Sequence, residues 1–233
     1  MSERKRGACL VCGENLTYYP KAVEMECVFC GKTELSHASC EKGHYVCDAC
    51  HAKKGIEVIM EICQKTDSKN PVEIARKIME DPYIYMHGPE HHVMVGAVLL
   101  TAYRNSGGDI DLKEALEEMK ERGSQIPGGR VRLLGVLRSR SQHRDLYEYC
   151  NGSYASCGTL LGAGKPDNGQ ALEAIGELGG PRCCKRDTFT AIRKAAEMTA
   201  KELGVEMDCP AEIVCTFSEE NQQCLKKACP YHG

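Results

Sequence analysis

The sequence predicts a mainly α fold: a small N-terminal cysteine–histidine module, a ribbon pair or a cross-brace, followed by an all-helical body. Three observations lead there. Four closely spaced ligand pairs fill the first fifty residues, apolar residues recur at helical spacing after Cys50, and strand patterns are scarce, with Glu212–Thr216 the best candidate. The module is placed at residues 1–52 and the helical domain at 53–233.

The chain's 233 residues are enough to bury a real core. A net charge of -3 argues against a generally basic nucleic-acid binder, so nucleic acid is not favoured as a partner. Met1–Gly7 is polar and basic with no apolar stretch behind it, and Val93–Ala102 is too short to span a bilayer. The expectation is a cytoplasmic protein with no membrane association. Sixteen cysteines then call for metal or thiol chemistry, because disulfides do not persist in that compartment.

In the module the pairs are Cys9-x-x-Cys12, Cys27-x-x-Cys30, Cys40-x-x-x-His44 and Cys47-x-x-Cys50. A Cys-x-x-Cys turn sets two thiolates at two corners of a tetrahedron, and Gly13 and Gly31, each following a pair, supply the positive φ that reverses the chain. Eight ligands fill two closed zinc sites, and a closed site is structural. Neighbouring pairs could combine as ribbons, or alternate pairs as a cross-brace. His37 and His51 are read as solvated bystanders.

Past Cys50, Ile56, Ile59, Met60 and Cys63 fall on one helical face. Asn70-Pro71 opens a second helix, to about Glu80, with Asn as cap and Pro at the first helical position. A third starts at Pro89 and is apolar nearly all round through Val93, Gly96, Ala97, Leu100 and Tyr103, so it is read as the central helix. Gly107-Gly108 stops it, and Asp111 caps a charged surface helix, Leu112–Arg122. A last helix is capped by Asp187 or Thr188 and ended by Gly204, with Ile192, Ala195, Ala196, Thr199 and Leu203 on one face.

Three groups in the body carry candidate chemistry. His87-Gly88-Pro89-Glu90-His91-His92 formally contains His-x-x-Glu-His, but Pro89 at the helix start leaves His87 outside it, which disfavours a metalloprotease pair. His91 and His92 instead enter the core helix as a metal ligand or general base, or as histidines bonded to nearby carbonyls. Cys183 and Cys184 precede a helix N-terminus and are flanked by Arg182, Lys185 and Arg186, which favours thiolate. Cys215, Cys224 and Cys229, with His232, could join them around an iron–sulfur cluster or a redox-active thiol site. Cys63 and Cys209 are read as core or incidental. Gly162-Ala163-Gly164-Lys165 lacks the rest of a phosphate-loop signature and is discounted.

The cysteine-rich start ending in Gly43-His44-Tyr45-Val46-Cys47-Asp48, the His-Gly-Pro-Glu-His-His segment and Gly179-Gly180-Pro181-Arg182-Cys183-Cys184-Lys185-Arg186 together resemble an uncharacterised prokaryotic family. No established activity comes with that resemblance. Members are often labelled as, or found beside, class I SAM-dependent methyltransferases, which is association and not mechanism; the partner is unknown, with a methyltransferase or a redox protein as the candidates. A methyltransferase acting alone fits poorly, because the body lacks alternating strands and helices.

The resemblance stops between Arg130 and Gly169, where relatives have an apolar Gly/Cys/Ala-rich segment. Here five of the chain's thirteen arginines fall within residues 130–144. The two strings are compatible with one DNA read in two frames, so 130–169 is read as an out-of-frame stretch between compensating indels, which would also account for the absence of tryptophan. The functions that follow are sulfur, electron or methyl-group chemistry at a thiol/metal centre, or a zinc-stabilised binding module for a protein partner. Whether the chain is an enzyme stays open.

Overall fold

The computed structural model describes residues 9–124, 173–181 and 183–233. The arginine-rich 130–169 stretch, Cys150, Cys157 and the Gly162–Lys165 segment lie outside the described residues. Two antiparallel strands, β1 (Leu16–Glu26) and β2 (Thr33–Cys40), precede the helices α1 (Asp48–Lys65), α2 (Pro71–Met79), α3 (Glu90–Asn105), α4 (Leu112–Ser124) and α5 (Cys184–Leu203).

The hairpin lies in the N-terminal module, away from Glu212–Thr216, the best strand candidate in the sequence. It runs in register from Leu16↔Cys40 to Tyr18↔Ala38, then shifts and resumes from Val23↔Ser36 to Glu26↔Thr33. Pro20 sits inside the shift, where its missing N–H would break the ladder. Glu212–Thr216 contributes one isolated bridge, Cys215↔His232. The sequence signal is weak because β1 and β2 bury little apolar surface.

The body packs around α3, which contacts α1, α2, α4 and α5. Residues 90–103 of this helix are all buried, as a helix apolar on every side requires. Pro89 is its N-cap, so the helix begins at Glu90, one residue later than the start at Pro89 that the sequence implies. Asn70 caps α2 as expected, its side chain accepting from Val72 N and Glu73 N at 3.0 Å each. Asp111 likewise accepts from Glu114 N at the start of α4.

Two helix starts differ from the sequence reading. Helix α1 begins inside the last ligand pair, with Cys47 as its N-cap, so it runs through the placed boundary at residue 52. Helix α5 is capped by Cys183, whose sulfur accepts from Arg186 N, and not by Asp187 or Thr188. Gly204, at φ 67, ends it as the sequence implied. The body is not helical throughout: beyond Gly204 the chain is irregular apart from one 3-10 turn at Lys226–Ala228, and Ile213, Phe217 and Tyr231 anchor it to the core.

Candidate metal centres and the thiol pocket

In the module alternate pairs combine. Cys9, Cys12, Cys40 and His44 form one group, and Cys27, Cys30, Cys47 and Cys50 the other, with all ligand atoms of each group within 4.8 Å of one another. This is the interleaved, cross-braced arrangement. The hairpin produces it: β2 ends at Cys40 beside the start of β1, while the parallel bridge Cys27↔Tyr45 brings the end of β1 beside the chain entering α1. Gly13 and Gly31 have φ of 76 and 70, and their N–H groups close turns onto the carbonyls of Cys9 and Cys27.

The spacings suit a single tetrahedral ion in each group. Sulfurs of Cys12 and Cys40 are 3.9 Å apart, those of Cys30 and Cys47 3.7 Å, and Cys40 Sγ lies 3.4 Å from His44 Nδ1. A tetrahedron with metal–sulfur bonds of about 2.3 Å has edges of about 3.8 Å. Several sulfurs also accept backbone N–H groups: Cys9 from Val11 at 3.4 Å, Cys27 from Cys47 at 3.3 Å and Cys40 from His44 at 3.3 Å. At Cys27 burial acts to raise the thiol, but N–H groups of Cys47, Phe29 and Cys30 outweigh it and bring it down to about 6. Among the described residues no disulfide forms.

His51 departs from its expected solvated role. Its ring stacks on Tyr85 with centroids 3.9 Å apart, and burial holds its pKa below the ordinary value. His37 stays exposed, with Nδ1 3.1 Å from Tyr19 O.

Tyr85 also belongs to a closed ring of buried hydrogen bonds joining the two body motifs. Tyr85 N donates to Glu90 Oε1 at 3.1 Å, and Lys185 Nζ donates to Tyr85 O at 3.0 Å. His91 completes the ring, with Nδ1 3.4 Å from Glu90 Oε1 and 3.2 Å from Gly88 O, and Nε2 3.2 Å from Lys185 Nζ. Glu90 and Lys185 are 0% and 1% exposed. Burial and the cation of Lys185 keep His91 below its ordinary pKa, and therefore neutral, so Nε2 can accept from the ammonium. A Cβ at Gly88 would overlap the Glu90 carboxylate, which is why glycine stands in this motif.

Lys185 is the residue the sequence reading undervalued, as a mere flanking cation. A lysine two positions past the capping cysteine of an amphipathic helix gives no period signal of its own. Its ammonium also lies 5.1 Å from the centre of the Phe217 ring.

On the other side of Lys185 is a pocket lined by Cys183, Cys215, Cys224, Cys229 and His232, together with Arg186 and Asn221. Four thiols from two distant stretches of chain therefore share one cavity. Cys184 is buried and does not line the pocket, and His92 is buried in α3 away from it. The expectation that flanking cations make Cys183 a free thiolate is corrected: burial raises its pKa, outweighing Arg186. Burial likewise pushes Cys215 up, as do the neighbouring Cys183, Cys229 and Cys224. Cys183 and Cys215 are therefore not self-activated nucleophiles.

The fold and these sites define a cysteine-rich protein in which a module with two ligand groups able to hold metal leads directly into a helical domain. It belongs to a family of unknown function, DUF5714, whose model matches residues 59–232 and thus the helical domain with both body motifs. No curated protein matches the chain, and no solved structure does. No helix among the described residues is long and apolar enough to cross a membrane.

Proposed function

We propose that the chain is a cytoplasmic zinc-stabilised protein whose helical domain handles electrons or sulfur at a metal–thiolate centre in the thiol pocket. The convergence of Cys183, Cys215, Cys224 and Cys229 on one cavity carries this reading. Two zinc ions fit the module by donor set and spacing. All four ligands of each ion come from the protein, so zinc there builds the fold and leaves no open position for chemistry. Burial raises the Cys183 and Cys215 thiols, so a cation in the pocket would serve to hold them deprotonated. Methyl transfer, alone or with a methyltransferase partner, draws on the sequence resemblance only.

Full-length chain prepared anaerobically is expected to hold thiophilic metal beyond two zinc ions. The double variant Cys215→Ser/Cys224→Ser should lose the excess and keep both zincs. Two zincs and nothing more in the parent chain would reject the reading.

A second reading, a binding module for a protein partner, is favoured by one observation: Tyr18, Phe29 and Leu35 are 75%, 61% and 73% exposed on and beside the hairpin. It expects two zincs only, and loss of partner capture in Leu35→Glu with zinc retained.

A further inference from the structure

Resting on the metal–thiolate reading, we propose that Cys183, Cys215, Cys224 and Cys229 hold a cubane iron–sulfur cluster that passes single electrons. Three observations point to a cluster in place of a third zinc.

The first is hydrogen bonding to sulfur. Cys215 Sγ accepts from Phe217 N at 3.4 Å and Cys224 Sγ from Lys226 N at 3.3 Å. Both repeat the two-residue spacing by which Cys9 in the module accepts from Val11 N. Cys183 Sγ accepts from Arg186 N and from Asn221 Nδ2, each at 3.5 Å. N–H groups aimed at sulfur stabilise thiolate, and they are a main protein lever on cluster potential. Cys215 and Cys224 thus share the local geometry of the module's Cys9, whereas Cys63 sits in the apolar core.

The second is spacing. Among the described residues the two module groups are the places where three or more ligand atoms lie within 4.8 Å of one another. The pocket thiols are set wider than a single tetrahedral ion allows, around a shared cavity. Corner thiolates of a cubane are likewise farther apart than those of one ion, because the iron and sulfide core separates them.

The third is charge. Four thiolates on an oxidised cubane leave a net charge of about -2. Lys185 and Arg186, 1% and 5% exposed, both line this pocket. Lys185 Nζ donates to Tyr85 O and His91 Nε2, and Arg186 Nε lies 3.5 Å from Asp187 Oδ1. Two buried cations lining the cavity complement the charge of a dianionic cluster. The irregular segment beyond Gly204 also acquires a reason to fold there, since it supplies three of the four ligands.

With all four corners held by protein, the cluster exchanges electrons and has no open iron. The oxidised cluster takes one electron from a one-electron reductant, one ferric equivalent becomes ferrous, and the same electron leaves to a one-electron acceptor. No bond is made or broken.

The test is anaerobic reconstitution of the zinc-loaded full chain with ferrous iron and sulfide, followed by metal and sulfide analysis and by spectroscopy after dithionite. The expected result is about four irons and four sulfides above two zincs, with a reducible, paramagnetic product. Cys215→Ser/Cys224→Ser should lose most of that iron, while Cys209→Ser, altered outside the pocket lining, keeps it; circular dichroism of each variant verifies its helices. A third zinc or another single ion at the pocket overturns the cluster and leaves the metal–thiolate reading standing. No bound metal beyond two zincs overturns both.

Discussion

Replacing Gly88 by alanine tests the buried ring that ties the two motifs of the helical domain together. A Cβ there overlaps the Glu90 carboxylate, so the side chain must leave its place. Glu90 is fully buried, accepts from Tyr85 N at 3.1 Å and lies 3.4 Å from His91 Nδ1. Displacement leaves a buried N–H and a buried carboxylate poorly paired. At 1–3 kcal/mol for a stranded polar group and more for a charge, the cost is about 3 kcal/mol. For a chain of this size that lowers the melting temperature by roughly 6–12 °C. The assay is thermal and denaturant unfolding of the zinc-loaded protein. A double-mutant cycle isolates the cause, since in a Glu90→Ala background the same alanine has nothing to strike and should cost no more than about 0.5 kcal/mol. Additive costs, or a Gly88→Ala protein as stable as the parent, would refute the reasoning.

Further outcomes are expected. Asn70→Ala removes the acceptor of two N–H groups at the start of α2 and should cost about 1 kcal/mol in denaturant unfolding, with Asn70→Ser restoring most of it. His91 is held below its ordinary pKa by burial and Lys185, so on acidification the unfolded chain takes up its proton first. Its contribution to stability is therefore full above about pH 6.5 and falls below that by up to about 1.4 kcal/mol per pH unit. His91→Gln should flatten the stability profile between pH 7 and 5 relative to the parent, and parallel profiles would exclude this proton. Sequencing the gene across codons 130–169 should reveal a single-base shift that restores an apolar Cys/Gly-rich segment; an intact arginine-rich frame with no such shift rejects the out-of-frame reading.

Much of this architecture was legible from residue spacing. Asn70-Pro71, Asp111 and Gly204 mark helix ends by local chemistry that tertiary context did not override. The all-round apolar run from Val93 to Tyr103 could only be a buried helix. The eight module ligands were legible as a set, because Cys-x-x-Cys turns are local. Their pairing was not, since it depends on a hairpin whose strands are largely exposed and so carry little alternation. The pocket was half legible: its cysteines stood out, but no spacing rule places Cys183 beside Cys215 across the packing of α5 and an irregular tail. Lys185 and Glu90 were harder still. A buried charged residue looks like a surface residue in sequence, and its partner here lies 94 positions away.

The metal inventory of the full-length chain, produced and purified without oxygen and weighed intact by native mass spectrometry, tests the central claim most directly. Separate structural and functional centres predict two zincs together with the mass of one iron–sulfur cluster. A chain that carries two zincs alone, before and after anaerobic reconstitution, would contradict it.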